Sequence, residues 1–515
     1  TYNLASGGDN GNLEIVGTTL KMSSDHLSKL NYEQDNSYSV SITARDGSGA
    51  TTSLDTQINI TNVNEASVSR YNAKSDKFAF SSLNPTNNPN FENLMSGYTW
   101  GNSIGNGIDL TYSLISSSSK LSSGYKDTGS IQNPSSIFQS TLTEILNLYS
   151  SVSLLSFSEV SETGDTTGHI RIGTSTGPPT EAYAWYPYPN FYASGDIWLK
   201  SETDDYNKST KIVDGTYWNA AIVHEIGHSL GLAHPHEAET INGKTYGTNV
   251  SSGEVHSSLP YSVMSYAEYV GETIGSSSNN YSKPTTLMID DIAALQYLYG
   301  INEQYNAGDN LYTLGSFSKD SLDYVYASIW DAGGNDTFSW ADQSTIGAID
   351  LNPGSFSCFG NISSVKDTDL ASNTWSAGDG LLGIAYNANI ENAIGGSASD
   401  TIAGNSSANT LYGGAGAGVK DTLTGNGGAD IFVCSLSDAS TDLSVADIIS
   451  DFTDGSDKIG LEDRTFSNLA ISNGTGSYSG DTQIVDSSSG KVLFLLEGIH
   501  AGLIDENDFV VTDFV

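Results

Sequence analysis

His224-Glu225-Ile226-Gly227-His228-Ser229-Leu230-Gly231-Leu232-Ala233-His234 is the stretch that decides how this chain is read. Four residues turn an α-helix by ~400°, so His224 and His228 project from nearly the same face. Two neutral imidazoles so placed can hold one Zn²⁺. Glu225, one residue along, is offset enough not to ligate but close enough to serve a metal-bound water. Gly231 lets the chain leave the helix through a positive φ, which would return His234 to the ion as a third ligand. The bare H-E-x-x-H spacing arises often by chance; its continuation to Gly231 and His234 is highly specific.

Working outward, the spacing predicts a helix from about Asp214 or Thr216 to Leu230 carrying this motif. Ahead of it, Phe138, Leu142, Ile145, Leu146 and Tyr149 recur as the apolar face of another helix. Strand-like segments lie at His169-Ile170-Arg171-Ile172 and Asp196-Ile197-Trp198-Leu199, and a further helix is expected around Ile289 to Tyr299. Residues 67–300 therefore read as a mixed α/β domain. Residues 1–66 read as short strands, with alternation over Tyr38–Ala44, a turn at Arg45-Asp46-Gly47-Ser48-Gly49, and alternation again over Thr56–Ile60.

Beyond about residue 310 the helical signal fades and glycine-rich nonapeptides take over. Gly395-Gly396-Ser397-Ala398-Ser399-Asp400-Thr401-Ile402-Ala403 is followed by a degenerate unit, 404–412, with Asn409 in place of Asp. The next runs from Gly413-Gly414-Ala415-Gly416 to Asp421-Thr422-Leu423 after a three-residue insertion, and the fourth is Gly425-Asn426-Gly427-Gly428-Ala429-Asp430-Ile431-Phe432-Val433. This is the pattern of a calcium-binding parallel β-roll. Glycines permit tight turns whose carbonyls face the ion, Asp supplies a carboxylate, and the apolar residue two later fills the core. The expected calcium ligands are Gly396, Asp400, Gly414, Gly416, Asp421, Gly428 and Asp430, and the Asn409 unit should bind more weakly or not at all.

Composition bounds the alternatives. The 515 residues are too many for one core. With 20 Lys+Arg against 60 Asp+Glu the formal net charge is −40, which repels phosphate backbones and anionic membranes, so nucleic acid is excluded as an expected partner. Two cysteines, Cys358 and Cys434, cannot make a disulfide framework; Cys434 sits in an apolar run and reads as a buried thiol. No apolar run reaches the ~20 residues of a membrane span. Residue 1 is not Met and no signal peptide is visible, so either the N-terminus has been removed or export uses another signal.

Downstream of the histidines, Tyr261-Ser262-Val263-Met264-Ser265-Tyr266 supplies the Met-containing turn of a metzincin. With Pro235 after the third His, it resembles the serralysin family of bacterial metalloproteases. So do Asp290-Asp291-Ile292-Ala293-Ala294-Leu295-Gln296, Trp330-Asp331-Ala332-Gly333-Gly334-Asn335-Asp336 and Ile390-Glu391-Asn392-Ala393-Ile394-Gly395-Gly396, in that family's order from roughly 75 to 515. The resemblance implies a secreted, extracellular bacterial zinc endopeptidase, expected as a monomer acting on protein or peptide substrates. Its fold would be an α+β metzincin domain followed by an all-β calcium-binding parallel β-roll over 301–515. By the same resemblance Met264 floors the zinc site, Tyr266 is a movable ligand that stabilises an oxyanion, and Ala182-Tyr183-Ala184-Trp185 is the strand that pairs with an extended substrate. A calcium site ahead of the roll would fall on Gly308, Asp331, Gly333 and Asp336, with Asn306 where the family usually has Arg.

Asp508-Phe509-Val510-Val511 and Asp513-Phe514-Val515 resemble the C-terminal signal read by type I secretion machinery. Leu30-Asn31-Tyr32-Glu33, Ala44-Arg45-Asp46 and Asn62-Val63-Asn64-Glu65 resemble the later part of a cadherin-like repeat, so 1–66 is expected to be a partial β-sandwich. Cadherin-like and nonapeptide modules also occur in non-catalytic calcium-dependent adhesins, the principal alternative. A binding protein, however, has no reason to keep Glu225 beside three ligands. A lipase on a β-roll would need G-x-S-x-G, which is absent. The remaining histidines, His26, His169, His236, His256 and His500, read as structural or surface residues, with His236 set apart by its nearness to His234.

Overall fold

The computed structural model describes five strands before residue 90. From there it describes the chain onward, except for 163–166, 178–180, 189–190, 201–215, 242–243, 247–254, 268–282, 318–325, 360–379, short stretches between 117 and 128, and isolated positions. The chain divides into two compact units, 1–68 and 69–515.

In the first unit, β1 (Tyr2–Leu4), β4 (Ser37–Arg45) and β5 (Thr51–Asn59) form an antiparallel sheet in the order β1-β4-β5, and β2 (Leu13–Val16) pairs with β3 (Thr19–Met22). The long register from Ser37↔Asn59 to Arg45↔Thr51 is what two alternating segments around a glycine-rich turn produce. The 30–33 and 62–65 stretches of the cadherin-like frame, Asp46 and His26 lie outside the described residues.

In the second unit a six-stranded sheet comes first. Its strands are β6 (Ile108–Leu114), β7 (Ile131–Gln132), β8 (Leu155–Glu159), β9 (Ile170–Ser175), β10 (Ala182–Ala184) and β11 (Ile197–Lys200), in the order β10-β11-β9-β6-β8, with β7 against β9. Contacts along β11-β9-β6-β8 are parallel, while β10 runs antiparallel to β11. Helix α1 (Ser136–Val152) starts where Ser135 Oγ accepts the N–H of Phe138 at 3.1 Å. It buries Phe138, Leu142, Ile145, Leu146 and Tyr149, the face that its periodicity marks. Helices α2 (Tyr217–Ser229) and α3 (Ile289–Tyr299) complete this part.

From Leu311 the chain alternates between two sheets. Asn392–Ile394, Thr410–Tyr412, Ile431–Cys434, Lys458–Leu461 and Phe509–Val511 are successive parallel strands of one. Gly347–Asp350, Thr401–Ala403, Thr422–Thr424, Ile448–Ile449 and Val492–Leu496 are successive parallel strands of the other. The apolar residue that ends each repeat's Asp/Asn-x-apolar triplet, at Ile402, Leu411, Leu423 and Phe432, is fully buried in the core. The strand pairing continues past the insertion before Asp421, so the alternation between sheets is intact. Cys358 and Cys434 are both buried, and no disulfide joins them.

The mixed α/β part and the roll, separated by sequence at 300, share one core in this structure. Tyr261 packs edge-on to Phe356 at 4.9 Å, and Tyr386 donates a 2.7 Å hydrogen bond to Asp290 at the start of α3. Apolar side chains of α3 and the roll bury each other, so no solvated linker intervenes. Asp508-Phe509-Val510-Val511, which resembles an export signal, is also the last strand of one roll sheet, in register with Ile459–Leu461.

Candidate active site

Helix α2 begins at Thr216, whose side chain accepts from Asn219 N, and ends at Leu230, whose N–H bonds back to Ile226 and Gly227. Its last carbonyls would be orphaned. They are met by buried aromatic donors: Trp100 Nε1 gives a 2.7 Å bond to Ser229 O, and Tyr299 OH a 2.6 Å bond to Leu230 O. The chain then turns through Gly231 at φ +99°, and a Cβ there would lie 2.1 Å from Tyr98 O. Gly231→Ala should therefore cost about 1–3 kcal/mol for the backbone alone, more with the clash, and should reduce retained zinc. Urea unfolding and metal content check this; an unchanged midpoint would contradict it.

The turn brings His234 back onto the helix. Its Nε2 lies 3.0 Å from Nε2 of His224 and 3.0 Å from Nε2 of His228. The opposite nitrogens of those two rings are tied down: His224 Nδ1 is 2.9 Å from Val263 O, and His228 Nδ1 is 2.7 Å from Leu232 O. Carbonyls only accept, so each Nδ1 carries the proton and each Nε2 keeps its lone pair for a metal. Three such nitrogens, packed this closely without a proton between them, suit one ion at the ~2.0–2.1 Å of a zinc–imidazole bond. Burial keeps all three rings neutral, holding His224 down to about 4, His234 to about 2 and His228 well below its usual value.

Glu225, next to His224 on the helix, is buried, with Oε2 lacking a hydrogen-bond partner among the described residues, and burial pushes its carboxyl up to about 8. A buried carboxylate with an open oxygen fits a neighbouring cation. Tyr266 is half exposed, stacked 5.7 Å from His224 and tilted 4.5 Å from His234. Met264 is fully buried, and a Cβ on Gly227 would lie only 2.5 Å from its sulfur. The helix thus needs glycine at 227 to sit down on the Met turn.

That turn is held by a residue whose role was not assigned from sequence. The Asp291 carboxylate accepts from Ser262 Oγ at 2.7 Å, Val263 N at 2.8 Å and Met288 N at 3.0 Å. It thereby fixes the Val263 carbonyl that orients His224. Two acids opening α3 were the available signal, but nothing local connects them to residue 224.

Strand β10 lies at one end of its sheet among the described residues. Trp185 N continues the pairing to Asp196 O at 2.9 Å, and Trp185 is partly exposed. The next residue, Tyr186, meets His228 edge-on at 5.5 Å, so this strand leads to the histidines. A cavity of about 380 Å³ lies elsewhere, lined by Ile145, Leu287, Tyr312 and Trp330 and by none of the three histidines. His169 accepts from Thr111 N, His256 pairs with Asp290, and His500 caps a turn through Gly502 N. His236 alone of the remaining described histidines joins the cluster, its ring 5.1 Å from that of His234.

The roll aspartates form ladders. Asp400 accepts from Gly347 N and Gly396 N and itself donates N–H to Asp421; Asp421 N donates to Asp447. On the alternate turns Asn409 N donates to Asp430 and Asp430 N to Asp457. Asp447 and Asp457 were not among the expected ligands, although each opens the same Asp-x-apolar triplet. Backbones of neighbouring turns approach so closely that a Cβ on Gly414 would lie 2.0 Å from Gly396 O, and one on Gly428 2.3 Å from Ser407 O. Gly416 lies two residues beyond Gly414, and its carbonyl accepts from Val419 N at 3.1 Å. Buried carboxyls beside packed carbonyls fit calcium. Asn409 differs, because its amide nitrogen donates to Glu391 O at 2.9 Å, which supplies a donor where the other turns have none. Ahead of the repeats, Asp331 accepts from Gly333 N, Asp336 accepts from Asn310 N, and Gly308 has open space beside it. Burial foremost pushes Asp336 up to about 7.

Two family models match in order: Matrixin over residues 109–260 and Peptidase M10 serralysin C terminal over 291–492. Serralysin C of Dickeya chrysanthemi is 37% identical over 58% of this chain, and the match spans 60% of its own length. Metallopeptidase AprA of Pseudomonas marginalis is 32% identical over 75% of this chain and 80% of its own length. Serralysin of Proteus mirabilis is 32% identical over 52% of this chain and 53% of its own length. With both family models in sequence and a relative matched across most of each chain, this chain belongs to the serralysin family of metzincin metalloproteases.

Proposed function

We propose that the chain is a secreted zinc endopeptidase that cleaves extracellular proteins with Glu225 as general base. The observation that carries this is the convergence of three Nε2 atoms, two of them on rings whose Nδ1 faces a backbone carbonyl, on a helix that also buries the Glu225 carboxyl. Bound by His224, His228 and His234, zinc would supply an acidified water and polarise the scissile carbonyl. Glu225 accepts the proton of the attacking water and delivers it to the leaving amine as the C–N bond breaks. The Tyr266 hydroxyl donates to the developing oxyanion. Ala182, Tyr183, Ala184 and Trp185 present the strand against which an extended peptide pairs.

Chelating zinc should abolish casein hydrolysis and adding one equivalent back should restore it; activity that survives full zinc removal would sink the reading. Tyr266→Phe should lower kcat by roughly 100-fold with zinc content unchanged. Equal kcat in the two proteins would make Tyr266 a packing residue only.

In this reading the C-terminal half binds calcium through Asp400, Asp421 and Asp430 with the carbonyls of Gly396, Gly414, Gly416 and Gly428. The Asn409 turn is the weak member. A further ion takes Gly308, Asp331, Gly333 and Asp336. Low calcium inside a cell would leave this half unfolded for type I export, and external calcium would fold it afterwards. Residues 1–66 act as a separate cadherin-like module, and the protein works as a monomer.

A further inference from the structure

A second group of donors stands behind the three converging imidazoles. His234, His236 and Glu237 place one potential ligand atom each within 4.8 Å of one another. Glu237 Oε2 is 3.0 Å from His234 Nδ1, which is the ring nitrogen opposite the one that meets His224 and His228. Apart from that contact, His234 Nδ1 is buried with no hydrogen-bond partner among the described residues, and the same holds for His236 Nδ1. His236 is only 8% exposed, with its ring nearly parallel to that of His234, 15° off at 5.1 Å. A buried polar atom left unpaired is destabilising, and here two such nitrogens lie on neighbouring rings. The Pro235 turn, closed by Glu237 N donating to His234 O at 3.1 Å, holds the three residues together.

We propose that these residues form a second transition-metal site, in which His234 bridges two divalent ions. Two imidazoles and one carboxylate are a zinc-type donor set with a position open to water. Calcium, which needs six to eight oxygens, does not fit them. Binding breaks the Nδ1–H bond of His234, releases that proton to solvent and forms an Nδ1–metal bond; no electrons are transferred. Filling is ordered, because the first ion holds the His234 ring in the orientation that presents Nδ1 to the second. Repulsion between the two cations makes the second the weaker. The proposal rests on the protease reading only for the assignment of the first ion.

Stripped protein, dialysed against graded free zinc at constant calcium with bound metal counted, should take up zinc in two steps. His236→Ala and Glu237→Gln should each keep the first step and weaken the second by at least roughly tenfold, the lower bound for losing even a supporting partner. One equivalent in the wild type, with casein hydrolysis intact, would overturn the second site and leave the protease reading standing. A second step unaltered in both variants would place that ion elsewhere and overturn the proposal equally. Absence of the first step would count against the protease reading itself.

Discussion

Glu225→Ala should lower casein hydrolysis by roughly 100- to 10,000-fold while the protein keeps its full complement of zinc. The reason is a division of labour in the site. The ligand rings are oriented by Val263 O and Leu232 O, and no hydrogen bond from Glu225 supports them. Removing Glu225 therefore takes away the proton acceptor and leaves the metal cradle. Nor should the fold suffer, because burial pushes this carboxyl up to about 8 and its Oε2 has no hydrogen-bond partner among the described residues. Thermal melting of the zinc-loaded variant should show a midpoint no lower than that of the wild type. Glu225→Gln, with the same shape and no basicity, should be equally inactive. Full activity in either variant would exclude Glu225 as the base.

The second large effect is a pH-dependent requirement for calcium. An Asp in an unfolded chain titrates near ~3.9. In the folded roll without a cation, burial raises Asp400 and Asp430 to about 6, Asp447 to about 7 and Asp421 to about 9. The folded state thus binds more protons than the unfolded one across this range, so stability falls as pH rises. These groups' contribution is whole below about pH 4 and is lost as pH climbs through the folded values. In EGTA the roll should lose on the order of several kcal/mol between about pH 5 and 8.5. Calcium should restore most of it at the upper end and little at the lower, because it takes over from the protons. Circular-dichroism melts with and without calcium at both pH values decide this. Equal protection at both would show that these carboxyls do not hold the ion.

What could be read from sequence was whatever is local along the chain. His224 and His228 share a helix face, and Gly231 leads to His234 within the next turn; nothing distant is needed to foresee their meeting. The supports are another matter. Val263 O, Asp291 and the Gly227–Met264 contact come from segments far apart in sequence, and only packing brings them to the histidines. His236 was noticed for its position but not for its ring, which stacks on His234. In the roll, glycine is what marks a repeat in sequence, and that mark fades before the ladder of aspartates ends. Asp447-Ile448-Ile449 and Asp457-Lys458-Ile459 continue the ladder with no Gly-Gly before them. Asp508-Phe509-Val510 has the same triplet and supplies the last paired strand.

The alternation of strands between two sheets gives the C-terminal half a parity. From Asn392 to Thr401 to Thr410 the chain advances one nonapeptide at a time and changes sheet at each step. Deleting a single nonapeptide would send every later strand to the other side, so that the strands after the deletion no longer stack on the sheet they now extend. Deleting two would merely shorten the stack by one coil, since each coil touches only its neighbours. Length in this part of the molecule can therefore change in whole coils at little cost, whereas half a coil is forbidden.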